Sequence, residues 1–321
     1  MQAIVKTPSG KIEVEERPVP EAGPGEALVK VQRAGICDTD LQLVAGYMNF
    51  SGILGHEFVG RIERADEAPE RIGQTVVGEI NASCHSCDLC RNGMERHCSH
   101  RTVLGILERD GAFAQYLTLP LSNLHAIPDS LPLDRAIFTE PLAAAYEILE
   151  QTSVTEKDAL ILGPGKLGLL CAQVLRNAGA RVTLYTRHPE QQEPWKARGW
   201  KTLLPDDPAD RHFDLVVETT GSPEGFPIAL SRLKPRGLLI LKTTTADHPP
   251  VDLAPVVIHE ITVLGSRCGP FAPAIAALTR GAISPENTIR AHFRLEEATH
   301  AFRVAASSTD PLRRKVVFDI S

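Results

Sequence analysis

Four cysteines crowd one loop in the spacing Cys84-x2-Cys87-x2-Cys90-x7-Cys98. Thiolates are soft donors for zinc, and four of them close its tetrahedral shell at about 2.3 Å per bond. The short gaps let the backbone wrap a single ion. A closed shell leaves no position for a substrate, so this pattern points to a structural metal. Disulfides and an iron–sulfur cluster are the alternatives for the same four residues. His85 and His97 lie in the same loop. Four thiols suffice without them, and both are read as exposed.

A second donor set is scattered along the chain: Cys37, the pair His56-Glu57, and Glu140 in Thr139-Glu140-Pro141-Leu142-Ala143. Taken singly, a cysteine reads as core and a His-Glu pair as surface. Here glycine-bearing turns flank both, in Ala34-Gly35-Ile36-Cys37 and Leu54-Gly55-His56-Glu57. One thiolate, one imidazole and one carboxylate would hold zinc and leave a coordination position open, the arrangement of a catalytic rather than a structural site. Cys171 reads as core. His212, His248, His259, His292 and His300 lack ligand spacing.

The third chemical feature is Gly163-Pro164-Gly165-Lys166-Leu167-Gly168, which follows the apolar run Leu160-Ile161-Leu162. In such a G-x-G-x-x-G loop the first glycine makes the turn. The second lets backbone approach a pyrophosphate, and the third lets the helix pack on the strand. The amides of the helix start, here Lys166 and Leu167, face the anion. The next strand ends at Tyr185-Thr186-Arg187-His188. An acidic residue there would take the adenosine ribose diol and mark NAD. Thr186 stands in its place and Arg187 follows, which suits a 2′-phosphate and favours NADP. The alternative is an exposed Arg187 and NAD held by other contacts.

Elements to position these groups follow from periodicity. Ala3–Lys6, Lys11–Val14, Ala27–Val31, Val59–Glu63 and Thr75–Gly78 read as short strands separated by proline and glycine turns, which suggests a β-barrel-like domain. The texture changes near residue 142. A helix over 142–151 leads to the apolar strand 159–162, a helix over 167–178, and strands at 181–185, 214–218 and 238–241. Continuous apolar strands alternating with helices imply a parallel sheet covered on both faces. The tail returns to mixed elements and ends in Lys315-Val316-Val317-Phe318.

With these motifs in place, the sequence resembles the zinc-containing medium-chain dehydrogenases, which include alcohol, sorbitol, glucose and threonine dehydrogenases. Gly35-Ile36-Cys37-Asp38-Thr39-Asp40, Gly55-His56-Glu57, the four-cysteine loop and Asp110-Gly111-Ala112-Phe113-Ala114-Gln115-Tyr116 carry the resemblance, which runs over essentially the whole chain. It implies an α/β chain: a GroES-like β-barrel catalytic domain over 1–143 and 267–321, with the zinc lobe at 84–98, and a Rossmann doubly wound parallel-sheet cofactor domain over 144–266. Cys37 and His56 would then be ligands of a catalytic zinc. Glu57 would sit at the metal or just behind it, and Glu140 matches the carboxylate of the sorbitol, glucose and threonine branches. Two zinc ions per chain follow. Thr39 would relay the substrate proton. Asp110–Tyr116 would form the strand after the lobe. Ser266 and Arg267 align with the segment whose backbone meets the nicotinamide amide. Lys315 aligns with a basic residue near the pyrophosphate, in competition with Arg313 and Arg314. The chain departs from the family at Gln42, where many members carry a histidine that ends the proton relay. The stretch between Cys37 and His56 is also short for the polyol branch.

The expected activity is reversible, NAD(P)-linked oxidation of a secondary alcohol or polyol to a ketone. The alternatives are an NADPH-dependent carbonyl or enone reductase and a catalytically silent cofactor-binding sensor. A net charge of −6 and the absence of a basic cluster argue against a nucleic-acid partner. No apolar run approaches the roughly 18 residues of a membrane span, and Met1 leads directly into a strand, so a cytoplasmic enzyme is expected. The family implies a homodimer or homotetramer acting on a small-molecule substrate.

Overall fold

The computed structural model describes residues 1–208, 212–245, 250–285, 288–307, 310, 312 and 314–320. The chain divides into two units: Met1–Glu140 with Phe271–Ser307 and Lys315–Ser321, and Pro141–Pro270 with Ser308–Arg314. Residues 141–143 and 267–270 group with the second unit rather than the first. Gly269 shows why: a Cβ there would meet the Ala143 carbonyl oxygen at 1.8 Å, so this loop lies directly on the start of the helix Thr139–Gln151.

The first unit is built on a seven-stranded sheet. Its order is Leu124–Ala126, Thr75–Gly78, Glu57–Arg64, Glu26–Gly35, Lys315–Asp319 and Ile289–Phe293, with Tyr116–Pro120 also on Glu26–Gly35. The strand Glu26–Gly35 alternates apolar Ala27, Val29 and Val31, all fully buried, with polar neighbours. That is the period-two pattern of a strand with one face in a core. A smaller sheet joins Ile12–Glu16, Gln2–Lys6 and Gly52–Ile53, and a third joins Asn81–Ala82, Thr102–Leu104 and Glu108–Arg109 beside the cysteine loop. Phe113 anchors the core near the site, edge-on to Phe318 at 5.1 Å and to Phe302 at 6.0 Å.

Residues 110–115 do not form the expected strand, which begins at Tyr116. They close instead on the segment that carries His56. The amides of Gly111, Ala112 and Phe113 donate to the carbonyls of Ile53, Gly55 and Leu54 at 2.8–2.9 Å, and Asp110 accepts from the Ile53 amide. A Cβ on Gly111 would meet the Gly55 and Leu54 oxygens at 2.4 Å, so only glycine permits this approach.

The second unit is a six-stranded sheet in the order Lys201–Leu203, Arg181–Tyr185, Asp158–Leu162, Phe213–Glu218, Leu233–Leu241 and Thr262–Gly265, every neighbouring pair parallel. Numbered along the chain, this is the 3-2-1-4-5-6 order of a dinucleotide-binding sheet, with its reversal between Asp158–Leu162 and Phe213–Glu218. The strands are apolar on both faces: Leu160, Ile161, Leu215, Val216, Val217, Leu239 and Ile240 are all fully buried. Helices Lys166–Asn177 and Gly225–Ser231 cover them. Among the described residues, no helix is long and apolar enough to cross a membrane.

Candidate active site

Cys37 lies two residues past the long strand Glu26–Gly35 and caps the helix Asp38–Val44. The cap is made by Asp40, whose carboxylate Oδ2 accepts the Cys37 amide at 2.8 Å. Helix starts leave amides without partners, and an acidic residue at the third helical position takes one of them. Asp40 is fully buried, and its other oxygen, Oδ1, lies 3.3 Å from Nδ1 of His56. Neither of these two atoms completes a hydrogen bond, although both are shut off from solvent. His56 itself is 3% exposed. Burial alone would push its pKa down, yet the Asp40 carboxylate and the Cys37 thiol raise it well above the ordinary value. The pocket therefore attracts positive charge. Donor atoms of Cys37, His56 and Glu57 all lie within 4.8 Å of one another. A thiol, an imidazole and a carboxylate at this spacing, with orphaned buried polar atoms behind them, fit a zinc ion.

Glu57 stands differently from its two neighbours. Its carboxylate accepts the ammonium of Lys315, and both side chains are 1% exposed. Gly35 makes the space: a Cβ there would come within 2.7 Å of Glu57 Oε2 and 3.1 Å of Lys315 Cδ. A carboxylate whose charge is already compensated is a weaker metal donor than a free one. Lys315, expected near a pyrophosphate, is thus committed to Glu57, with its ammonium also 5.4 Å from the Phe138 ring centre. Arg313 lies outside the described residues, as does His248, and Arg314 pairs with Asp310 at 3.2 Å. Glu140 is half-buried in the first turn of Thr139–Gln151 and is not part of the three-residue cluster. Thr39 places its hydroxyl 3.7 Å from the Cys37 sulfur, at the edge of the cluster. Gln42 is half-buried on the same helix.

The four-cysteine loop draws its sulfurs together without joining them. Cys87 and Cys90 are 3.5 Å apart, Cys84 and Cys98 3.5 Å, and Cys87 and Cys98 3.8 Å. All four are free thiols. A tetrahedron with bonds of about 2.3 Å has edges of about 3.75 Å, so these spacings fit one ion and rule out disulfides, whose sulfurs sit at about 2 Å. The Ser86 hydroxyl and amide lower Cys84 to about 5, and the Cys90 backbone lowers Cys87 to about 7. Burial pushes Cys90 up to about 12. The loop is therefore partly thiolate at neutral pH, which prepares it for a divalent cation. His85 and His97 are exposed.

In the second unit, Gly163 turns the chain at φ +87°, with Thr220 Cα 2.9 Å from where a Cβ would stand. The Thr219 hydroxyl donates to its carbonyl at 2.8 Å. Gly168 presses the helix onto the loop: a Cβ there would meet the Gly163 oxygen at 2.2 Å. Gly165 caps the helix Lys166–Asn177, so Lys166 and Leu167 lead its first turn. The cradle fits a pyrophosphate. Thr186 is buried and turned inward. Its hydroxyl donates to Gln191 and accepts the His188 amide at 3.1 Å. Arg187 is exposed, and its charge acts on Glu224, whose carboxyl is lowered first by Ser222 and also by Arg187. Ser266, almost buried, receives the ammonium of Lys242 at 2.7 Å, while Arg267 donates to the Cys268 sulfur at 3.4 Å. Cys171 is fully buried in the cofactor helix.

A family model for the alcohol dehydrogenase GroES-like domain matches residues 23–129. L-threonine 3-dehydrogenase of Xanthomonas campestris pv. campestris (strain B100) is 33% identical over 286 residues, covering 83% of this chain and 84% of that protein. The chain belongs to the zinc-containing medium-chain dehydrogenases. Solved structures agree along the full length of this dehydrogenase. A zinc-binding dehydrogenase from Sinorhizobium meliloti 1021, bound to NADP, superposes with a TM-score of 0.86 at 29% identity, covering 99% of this chain and 98% of that one. An alcohol dehydrogenase from Escherichia coli CFT073, complexed with NADH, gives 0.90 at 25% identity, covering 99% of each. The dehydrogenase is an oxidoreductase of the alcohol dehydrogenase type.

The sequence reading missed one residue of the site, Asp40, and gave another, Lys315, a different role. Asp40 belongs to the motif that drew attention to Cys37, but only the fold turns it back onto His56. Its signal was an acidic residue at the third position of a helix, the mark of a capping box. Lys315 opens a strand with an apolar centre, Val316-Val317-Phe318, but its partner lies 258 residues away in sequence.

Proposed function

We infer that this dehydrogenase oxidises a secondary alcohol or polyol to a ketone, reversibly, with a catalytic zinc at Cys37 and His56 and a structural zinc at the four-cysteine loop. The observation that carries the reading is the buried Cys37–His56–Glu57 cluster with Asp40 behind the imidazole. Asp40 facing Nδ1 orients the ring and leaves Nε2 for the metal, the carboxylate–histidine arrangement that fixes a ligand in place. Glu140 is proposed as the further carboxylate of this centre, with Glu57 held behind it by Lys315. When bound, zinc supplies Lewis acidity at the substrate oxygen, and the nicotinamide supplies a hydride acceptor.

The chain's own groups do the rest. Thr39 takes the proton from the substrate hydroxyl at Oγ1 and passes it outward. Gln42 has no titrating group, so the relay ends in water rather than in a side chain. The glycine loop holds the pyrophosphate through the amides of Lys166 and Leu167. The backbone at Ser266 and Arg267 meets the carboxamide. A homodimer or homotetramer is the proposed assembly, in the cytoplasm.

NADP is the proposed cofactor, supported by Arg187 at the ribose end and by the absence of an acidic residue there, where Thr186 is engaged with Gln191. Titration should show NADP binding more tightly than NAD, and Arg187→Ala should narrow the gap. NAD binding more tightly to the wild type would remove the role of Arg187. The activity itself is tested by a dehydrogenase screen of sugars, polyols, cyclitols and hydroxy amino acids with both cofactors. No turnover from a fully metallated protein across that panel would favour the sensor reading.

A further inference from the structure

One helix of the first unit has more apolar surface than its core uses. Phe271–Thr279 contains a single polar residue, Thr279, and buries Phe271, Ala274, Ala277 and Leu278. The residues between them, Ala272, Ile275, Ala276 and Thr279, recur at the three- and four-residue spacing of a second helical stripe. A helix that is apolar all round ordinarily has every stripe covered. Here the second stripe forms one wall of a groove of about 720 Å³. The other wall is Leu124, Ala126 and Pro128. It is built on the strand Leu124–Ala126, the edge of the seven-stranded sheet, whose strand partner among the described residues is Thr75–Gly78. All the lining residues lie in the first unit.

Two guanidinium groups also line this groove. Arg71 donates from Nε to Gln74 at 3.2 Å, from Nη1 to the Leu121 carbonyl at 2.8 Å and from Nη2 to the Leu124 carbonyl at 2.7 Å. All three acceptors are neutral, and a guanidinium has further N–H groups to give. Arg280 is exposed, and among the described residues its side chain makes neither a hydrogen bond nor an ion pair. No acidic side chain lines the groove among the described residues. Glu79, which comes near it, is held by Nε2 of His125 at 2.9 Å, and the His125 ring stacks on Phe271 at 5.1 Å. Uncompensated positive charge thus meets an apolar floor. Such a combination suits a ligand that is anionic at one end and apolar along the rest.

We propose that this groove binds a single-chain alkyl carboxylate. Its head pairs with the free Arg280 guanidinium, assisted by Arg71. Its chain lies between the Ile275–Ala276 stripe and the edge-strand wall. Arg280 carries the one fully uncommitted charge, so a monoanionic head matches it better than a dianion. The volume falls within the roughly 300–1,000 Å³ of small-molecule sites. The site is separate from the Cys37–His56–Glu57 centre and from the glycine loop, none of whose residues line it.

Calorimetric titration of the full-length, zinc-loaded protein with hexanoate, octanoate and decanoate tests the proposal. Decanoate should bind saturably below the concentration at which it forms micelles. Each added methylene should tighten binding about two- to fourfold, because it takes apolar surface out of water. Decyltrimethylammonium, with the same chain and the opposite charge, should not bind. Arg280→Glu should weaken decanoate about tenfold or more, and Arg280→Lys should keep most of the affinity. These two variants alter an exposed side chain with no partner to lose, so the fold is not at stake in them. Ala276→Phe fills the groove from the helix side and should abolish binding with Arg280 still in place. Cys37→Ser should bind decanoate as the wild type does, which separates the groove from the proposed catalytic centre. No saturable binding, equal binding of the ammonium compound, unchanged affinity in Arg280→Glu, or loss of binding in Cys37→Ser overturns the proposal. So does binding of phosphatidylglycerol vesicles without binding of free decanoate, which would give this face to a membrane surface.

Discussion

The two proposed metal centres of this dehydrogenase are built on opposite plans. The four-cysteine loop collects every donor from one short stretch, 84 to 98, and its sulfurs already stand at the edge lengths of a zinc tetrahedron. The Cys37 centre collects its groups from a strand end, a turn and a strand near the C-terminus, and none of them is sequence-adjacent except His56 and Glu57. The first site needs only local chain geometry. The second needs the sheet to be complete, because Lys315–Asp319 must pair with Glu26–Gly35 before Lys315 can meet Glu57. A site that stores folding energy can be local and closed. A site that performs chemistry is assembled by the fold and carries a supporting layer: Asp40 behind His56, and Lys315 behind Glu57.

This contrast is broken most severely at Cys37. Cys37→Ser should remove detectable turnover while circular dichroism and the thermal midpoint stay close to wild type, because the helix cap is made through the Cys37 amide and Asp40 rather than through the sulfur. A large loss of stability would mean that the two centres share one structural role. Next in size is the relay. Thr39→Val keeps the volume and removes the hydroxyl, so kcat should fall about 10²-fold or more. Gln42→Ala, which removes no titrating group, should change kcat far less. Unimpaired kcat in Thr39→Val, with hydride transfer shown to be rate-limiting, would sink the relay.

The supporting layer gives a third test, read as stability. Lys315→Met leaves the Glu57 carboxylate buried and uncompensated, which should cost about 3–5 kcal/mol in denaturant unfolding. Glu57→Gln together with Lys315→Met removes both charges and should recover most of that loss. Equal destabilisation of the single and double variants would show that packing, not charge, is what Lys315 contributes.

Legibility followed the same contrast. The parallel sheet and its glycine loop could be read because strand periodicity and turn chemistry are local, and the four cysteines drew attention as one cluster because their spacing is local too. Cys37 and His56 drew attention through their flanking glycines, and the fold brings their donor atoms together. The roles of Asp40 and Lys315 could not be read, because they depend on which residues the completed sheet sets face to face. The segment 110–115 misled for a related reason. The resemblance placed a strand there, but Gly111 lets the segment close on the turn that carries His56, through backbone hydrogen bonds to residues 53–55.

The central claim is that the chain holds two independent zinc ions, one structural and one catalytic, and elemental analysis of three proteins tests it most directly. The wild type should carry two zinc ions per chain. Cys87→Ser should carry one and unfold at a lower temperature, because structural zinc contributes folding energy outright. Cys37→Ser should also carry one, at the wild-type midpoint and without activity. One zinc or none in the carefully purified wild type, or the loss of both ions from either single variant, would contradict the account.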